Sequence, residues 1–165
     1  MLLQLFIMNT EVSAIAAQMR DSYEGDPWWG RNANSLLGEI EEQMAFERPG
    51  GQHSLLELVW HMINWKEFVI SRLHDVDGKD LSYFENNDWR HLDHAHKSLW
   101  HQGIERLHYV HNELVGMVEQ QNDALLEQQV SEREYNFRKL FHGVLQHDIY
   151  HLGQVAYIVK LLGKR

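Results

Sequence analysis

Apolar residues recur along most of this chain every three or four positions, the spacing that places them on one face of an α-helix. This pattern predicts helices over about residues 10–23, 34–46, 54–74, 93–122 and 137–162. We find no convincing alternation of apolar and polar residues of the kind that β-strands show. The sequence therefore predicts an all-α fold, in which four long helices and a short extra helix near the N-terminus form a four-helix bundle.

Proline, glycine and capping residues mark the expected ends of these helices. Pro27 follows the first helix, and Pro49 with two glycines after it ends the second. Ser54 is followed three residues later by Glu57, which is the spacing of a capping box at the start of the third helix. The last helix is expected to stop at Gly163. Polar connections are predicted over residues 75–89 and 123–135.

The composition fits one globular domain covering residues 1–165. The formal net charge is −9, so the surface repels phosphate backbones and we expect no nucleic-acid partner. The chain has no cysteine, which excludes disulfides, cysteine-ligated zinc and a thiol nucleophile of its own. Residues 1–8 are mostly apolar, but this run is too short to span a membrane and lacks the basic start of a signal peptide. We therefore expect the run to begin the first helix and the protein to be cytoplasmic, with no membrane partner.

The last predicted helix carries His147 and His151 one turn apart on the same face. Two imidazoles placed in this way can bind one metal ion, and His61 supplies a third if its helix is a neighbour. Three neutral imidazoles leave at least one position open on a divalent ion, as in catalytic rather than structural zinc sites. The same histidines could instead be hydrogen-bonded residues of the core, and their spacing alone leaves both interpretations open.

Other histidines and a pair of tryptophans also have two interpretations each. His111 lies on the apolar face of its helix, where a hydrogen-bonded core histidine is favoured over a fourth ligand. Trp28 and Trp29 are expected to pack a loop over one end of the bundle rather than to form a dimer contact. Three histidines at a polar helix start are expected to be solvated, namely His91, His94 and His96.

Two segments of the chain together resemble a known family. They are SLLELVWHMINW at residues 54–65 and LQHDIYHLGQ at residues 145–154, and their pattern is similar to that of the DinB-like (YfiT-like) metalloenzymes. The resemblance extends over nearly the whole chain, including the Trp28-Trp29-Gly30 stretch. It implies an up-down-down-up four-helix bundle, often a homodimer, that binds a divalent metal such as nickel or zinc. The family's three histidine ligands correspond to His61, His147 and His151.

Characterised relatives in that superfamily include thiol-dependent transferases and isomerases that use low-molecular-weight thiols such as bacillithiol or mycothiol. The resemblance therefore implies a metal-dependent thiol S-transferase that acts on a small electrophile, with the thiol supplied by a co-substrate. Glu57, Asn64 and Gln154 are candidates for orienting the ligands or the substrate, and no catalytic residue is assigned. A non-catalytic, stress-associated metal-binding bundle and a metal-dependent hydrolase are the alternatives.

Overall fold

The computed structural model of the chain describes residues 10–74 and 78–163. The α-helices in these ranges are α1 (Thr10–Tyr23), α2 (Ala33–Gly38), α3 (Glu42–Ala45), α4 (Leu55–Leu73), α5 (Leu81–Asn86), α6 (Leu99–Glu119) and α7 (Phe137–Leu162). Two 3₁₀ turns cover Pro49–Gly51 and Asp123–Glu127. Within the described ranges there is no strand beyond one isolated bridge, so the predicted all-α class is confirmed. The apolar run at residues 1–8, expected to begin the first helix, lies outside the described residues.

Four of the helices pack side by side, with α1 and α4 each in contact with both α6 and α7. The order of contacts along each pair of helices gives their relative directions. Helix α4 runs parallel to α6 and antiparallel to α7, whereas α1 runs parallel to α7. The four helices therefore run up, down, down and up. Helices α4 and α6 are related by the contacts Trp60–Leu99 and Glu67–Arg106. Helices α4 and α7 are related by His61–His151 and Lys66–Asp148. Helices α1 and α7 are related by Glu11–Arg138 and by Tyr23 and Asp148, which line one cavity.

The capping residues fix the ends of the two helices that matter most for the site. Ser54 and Glu57 form the predicted capping box, because the Ser54 hydroxyl accepts from the Glu57 backbone N–H (3.2 Å) and the Glu57 carboxylate accepts from that of Ser54 (2.8 Å). Helix α7 begins after Asn136, whose side chain accepts from the Lys139 backbone N–H (3.1 Å), and it ends at Gly163 as predicted. Both helix registers are therefore set by local hydrogen bonds.

The second predicted helix is wrong as a single element. Residues 34–46 form two short helices, α2 and α3, with a break between them. Helix α2 ends at Gly38, a residue of low helix propensity, and Glu41 then adopts an extended conformation before α3. The chain around the short helices packs against the start of α4 through buried side chains such as Leu37 and Ala45.

One predicted connection and one predicted helix start also differ from the structure. The polar segment at residues 75–89 contains α5, which starts because the Asp80 side chain accepts from the Tyr83 backbone N–H (2.9 Å). Helix α5 buries Phe84 against Phe68 of α4, with ring centroids 5.4 Å apart. The helix predicted from residue 93 starts only at Leu99, after a series of turns.

The expected packing of the tryptophan pair is wrong for Trp28. This side chain is 99% exposed, and that of Trp29 is 48% exposed. The reason is a tight turn in which the Gly30 backbone N–H donates to the Pro27 carbonyl (3.0 Å), and Gly30 adopts a φ of 113° that glycine tolerates. This turn directs the indole of Trp28 away from the bundle.

The core consists of two apolar clusters with a polar layer between them. One cluster contains Leu55 to Ile63 of α4 and the second half of α7, and the other contains Phe68, Val69 and the first half of α7. The buried polar side chains at the level between the clusters are His61, Asn64, Lys66, His111, Asp148 and His151. None of the described helices is long and apolar enough to span a membrane.

Candidate metal centre

The structure brings the three predicted histidines together in the polar layer. His61 comes from α4, and His147 and His151 come from consecutive turns of α7. The Nε2 atom of His147 lies 2.9 Å from that of His61 and 3.1 Å from that of His151. One ligand atom from each residue lies within 4.8 Å of the other two, so the group could hold a metal ion.

The outer ring nitrogens of two of these histidines are held by acceptors. His61 Nδ1 lies 3.0 Å from the Asp88 carbonyl oxygen and 3.0 Å from its carboxylate, and His151 Nδ1 lies 2.7 Å from the Gln154 side-chain oxygen. Because these oxygens only accept, both Nδ1 atoms carry the proton and both Nε2 atoms present a lone pair. This arrangement matches the way in which metal-binding histidines are usually oriented.

Hydrogen bonding alone does not satisfy the three facing nitrogens. His147, if protonated at Nε2, can donate to only one of the other two Nε2 atoms, so the lone pair of the remaining Nε2 atom has no donor. The Nδ1 atom of His147 is buried and has no hydrogen-bond partner among the described residues. Two nitrogens held about 2.0–2.1 Å from one zinc-sized ion lie roughly 3.0–3.4 Å apart, close to the 2.9 and 3.1 Å observed. The donor set therefore fits a divalent ion.

The environment keeps the three imidazoles neutral. The pKa of His147 is lowered to about 3, mainly by burial and to a smaller extent by its two histidine neighbours and Lys66. Burial also lowers the pKa values of His61 and His151, although Asp88 and Gln154 partly oppose that effect. Neutral imidazole is the form that binds metal, so protons compete poorly with a metal ion for this group near pH 7.

An aromatic stack covers the group on the α4 side. The Trp89 ring lies on His61 with centroids 4.0 Å apart, and His53 lies on the opposite face of Trp89 at 3.6 Å. Trp89 is still 40% exposed, so it forms part of the boundary between the histidines and solvent. The stack restricts the His61 ring to one orientation.

Two recesses reach the group along α7. The first, which we call the aromatic recess, has a volume of about 590 Å³ and is lined by His53, Trp89, Tyr157 and His151 among others. The second, which we call the Phe68 recess, has a volume of about 450 Å³ and is lined by Phe68 and His147 among others. The aromatic recess lies toward the C-terminal half of α7, and the Phe68 recess lies toward its N-terminal half.

The three residues predicted to orient ligands or substrate have different surroundings. Gln154 accepts the hydrogen bond from His151 described above. The Glu57 carboxylate is held by the capping box and by Arg48 (2.9 Å). The Asn64 amide donates to the Phe84 carbonyl (2.9 Å) and thereby connects α4 to α5. Among these candidates only Gln154 has a hydrogen bond to the histidine group.

Sequence reasoning missed Asp88 and Trp89. Both lie in the segment that was predicted as a polar loop, 27 and 28 positions after His61, where no helical period relates them to it. They reach the histidines because α5 folds the segment back against α4. The sequence does contain a signal, because it places a tryptophan beside an acidic residue in an otherwise polar segment. This signal does not indicate which residues the two side chains contact.

A second set of buried polar groups lies beside the histidines. Lys66 and Asp148 form an ion pair, and both side chains are almost entirely buried. The Lys66 ammonium also lies 3.4 Å from His111 Nδ1, and the His111 ring stacks on Tyr23 with centroids 4.0 Å apart. His111 is thus a buried core histidine with a polar partner, as favoured from the sequence, and it lies outside the group of three.

Acid should destabilise the fold through His111. Its pKa is lowered to about 2, mainly by burial and to a smaller extent by the charge of Lys66. Below about pH 6.5 the unfolded chain binds a proton that the folded chain does not, so stability falls as the pH falls. This histidine alone should cost about 2 kcal/mol between pH 7 and pH 5. Urea unfolding of the chelator-treated protein at both pH values measures the loss.

The matched variant for that measurement is His111→Gln. Glutamine keeps polar atoms beside Lys66 but does not titrate, so the variant should lose about 2 kcal/mol less than the wild type on going from pH 7 to pH 5. Its stability at pH 7 is measured separately and does not enter the comparison. Equal acid losses in the two proteins would show that His111 is not the group that resists protonation.

The fold and the histidine group define a class of protein, a helical bundle whose buried histidines could bind a metal ion. Residues 30–155, more than half of the chain, match the family model of the DinB superfamily. The chain belongs to the DinB superfamily, so the resemblance found in the sequence is confirmed. No curated protein and no solved structure matches the chain significantly.

Proposed function

We propose that this protein is a divalent-metal-dependent enzyme that transfers a small-molecule thiol to a small electrophile. The observation that carries the proposal is the convergence of the Nε2 atoms of His61, His147 and His151 at one point. Zinc or nickel is the proposed ion, because imidazole nitrogen suits both. Three protein ligands leave further coordination positions open, which a catalytic site requires and a purely structural site does not.

The chemistry that such an ion supplies when bound is a lowered pKa of a thiol that it coordinates, so that the nucleophilic anion is available near neutral pH. In the reaction the thiol sulfur forms a bond to the electrophilic carbon, and the bond from that carbon to the leaving group breaks. The leaving group departs with the electron pair of the broken bond. The thiol proton passes to a base, and no oxidant or reductant is needed.

His53 is the side chain we propose as the acceptor of that proton. Its imidazole lines the aromatic recess together with His151, so a substrate there is within its reach. Its Nδ1 lies 3.8 Å from the Glu57 carboxylate, so the ring lies between an acidic side chain and the recess. Stacking on Trp89 holds the ring in place.

The two recesses support a reaction with two organic reactants. His147 lines one and His151 lines the other, so each reactant has its own approach to the same group of nitrogens. A hydrolase needs room for one substrate and a water molecule, which a single recess provides. The presence of two recesses therefore favours thiol transfer over hydrolysis.

The test is a turnover assay on the purified, untagged protein loaded with zinc or nickel. Bacillithiol or mycothiol is mixed with 1-chloro-2,4-dinitrobenzene, and formation of the aryl thioether is followed by absorbance. We expect turnover that stops with a chelator and in His147→Ala. We also expect His53→Gln to lose about 100-fold or more in kcat while keeping its metal.

The other outcomes of this assay identify the alternatives. Stoichiometric metal with no thiol turnover across a range of electrophiles would contradict the proposal and favour a non-catalytic metal-binding bundle. Metal-dependent cleavage of an ester or amide without any thiol would favour a hydrolase. Full activity in His53→Gln would remove the proton-accepting role of that residue and leave the rest of the proposal standing.

A further inference from the structure

A third recess, which carries cationic side chains, borders the aromatic recess. This third recess, which we call the cationic recess, has a volume of about 460 Å³. His53 and Trp89 line both, so the two recesses share a wall. Its lining contains two cationic side chains, Arg48 and Arg90, and two acidic ones, Glu57 and Asp93, together with His91 and His94. The aromatic recess contains most of the apolar side chains, and the cationic recess contains the charged ones.

The acidic residues of the cationic recess are already engaged. Glu57 pairs with Arg48 (2.9 Å), and Asp93 lies 3.1 Å from His96 Nδ1. Arg90 differs, because its Nε and Nη2 atoms are buried and have no hydrogen-bond partner in the part of the chain that the structure describes. Its guanidinium lies 5.3 Å from the Trp60 ring, a contact that supplies no acceptor oxygen. A guanidinium in this state favours an anion as its partner.

The aromatic recess offers apolar surface against which a flat molecule can pack. Trp89 and Tyr157 are ring-bearing side chains of its wall, with Leu58 and Ile158 between the helices. Tyr157 is 67% exposed, so a planar ligand would remove both aromatic and aliphatic surface from water. Aromatic rings add a preference for stacking that aliphatic ligands do not satisfy.

We propose that the aromatic recess and the cationic recess beside it together bind a small aromatic molecule that carries one acidic group. Its ring lies in the aromatic recess beside Tyr157, and its acid group pairs with Arg90. The formal charge of the whole chain is −9, so a bound anion needs a specific cationic partner such as the Arg90 guanidinium to offset the general repulsion. That this molecule is the electrophile rests on the proposed function, whereas the binding itself does not.

The experiment compares two probes of the same shape, 2-naphthoate and its neutral analogue 2-naphthamide, by calorimetric titration of the full chain. The wild type should bind 2-naphthoate at least tenfold more tightly than 2-naphthamide. Arg90→Gln should remove this preference while binding 2-naphthamide within about twofold of the wild type. Arg90→Lys should keep part of the preference, because the positive charge remains. Tyr157→Ala should weaken both probes about equally.

Each titration is run with and without a chelator, because a carboxylate can also coordinate a metal. The preference should be the same in both conditions. A preference that disappears with the chelator would place the acid group at the histidines and overturn the proposal. A preference that survives in Arg90→Gln but is lost in Lys139→Gln would also overturn the proposal, because Lys139 lines the Phe68 recess. Equal binding of both probes by a folded wild type would overturn it as well. None of these results depends on turnover, so the proposed function is tested separately.

Discussion

Replacing His147 with alanine should reduce the affinity for a divalent metal by at least about 100-fold, because loss of a single hydrogen-bonded partner of a ligand already costs 10- to 100-fold. The side chain occupies the middle of the group, with its Nε2 atom within about 3 Å of both other Nε2 atoms. Its removal leaves two imidazoles and an open cavity. Elemental analysis of the untagged protein, followed by competition with a chromophoric chelator, measures the change.

Two further variants make that result specific. His142→Ala removes another histidine of α7, one that lines the Phe68 recess but lies outside the group of three, and it should keep the wild-type metal content. Gln154→Ala removes the acceptor for His151 Nδ1 and should weaken metal binding by about 10- to 100-fold. Stoichiometric metal in His147→Ala would contradict the assignment of this residue as a ligand. A wild type that binds neither zinc nor nickel would favour structural histidines.

Replacing Lys66 with methionine should lower the free energy of unfolding by about 3–5 kcal/mol. Methionine has nearly the same length, so the loss comes from the Asp148 carboxylate, which is buried and would have no counter-charge. The substitution also removes the cation beside His111. Urea unfolding of the chelator-treated protein at pH 7 measures the effect without a contribution from bound metal.

The double variant Lys66→Met with Asp148→Leu separates the charge from the packing. Removing both members of a buried ion pair is often close to neutral, so the double variant should recover most of the lost stability. Lys160→Met is the control for the amino-acid change itself, because Lys160 is exposed, and it should stay within about 0.5 kcal/mol of the wild type. A loss below about 1 kcal/mol in Lys66→Met would show that Asp148 is not charged in the folded protein.

The long helices could be predicted from the sequence because their signals are local. The first helix ends, and the last helix begins and ends, where the sequence predicted, and the capping box at Ser54 formed as expected. The errors fall where local signals were weak. Helix α5 is too short for a helical period to be visible, and Gly38 was not recognised as a break in the second helix. Trp28 was expected to pack over one end of the bundle, yet the turn ending at Gly30 directs it outward.

The sequence by itself determined where the four long helices lie in the chain and that His147 and His151 share a face, because both properties depend on residues a few positions apart. Only the tertiary structure decided that His61 faces them, since this depends on α4 packing antiparallel to α7. The same holds for Asp88 and Trp89, which reach the histidines through the fold of α5. It also holds for the cationic recess, where Nε and Nη2 of Arg90 have no hydrogen-bond partner among the described residues. These relations join side chains far apart in the chain, and such distances are set by the packing of whole helices, which no local pattern encodes.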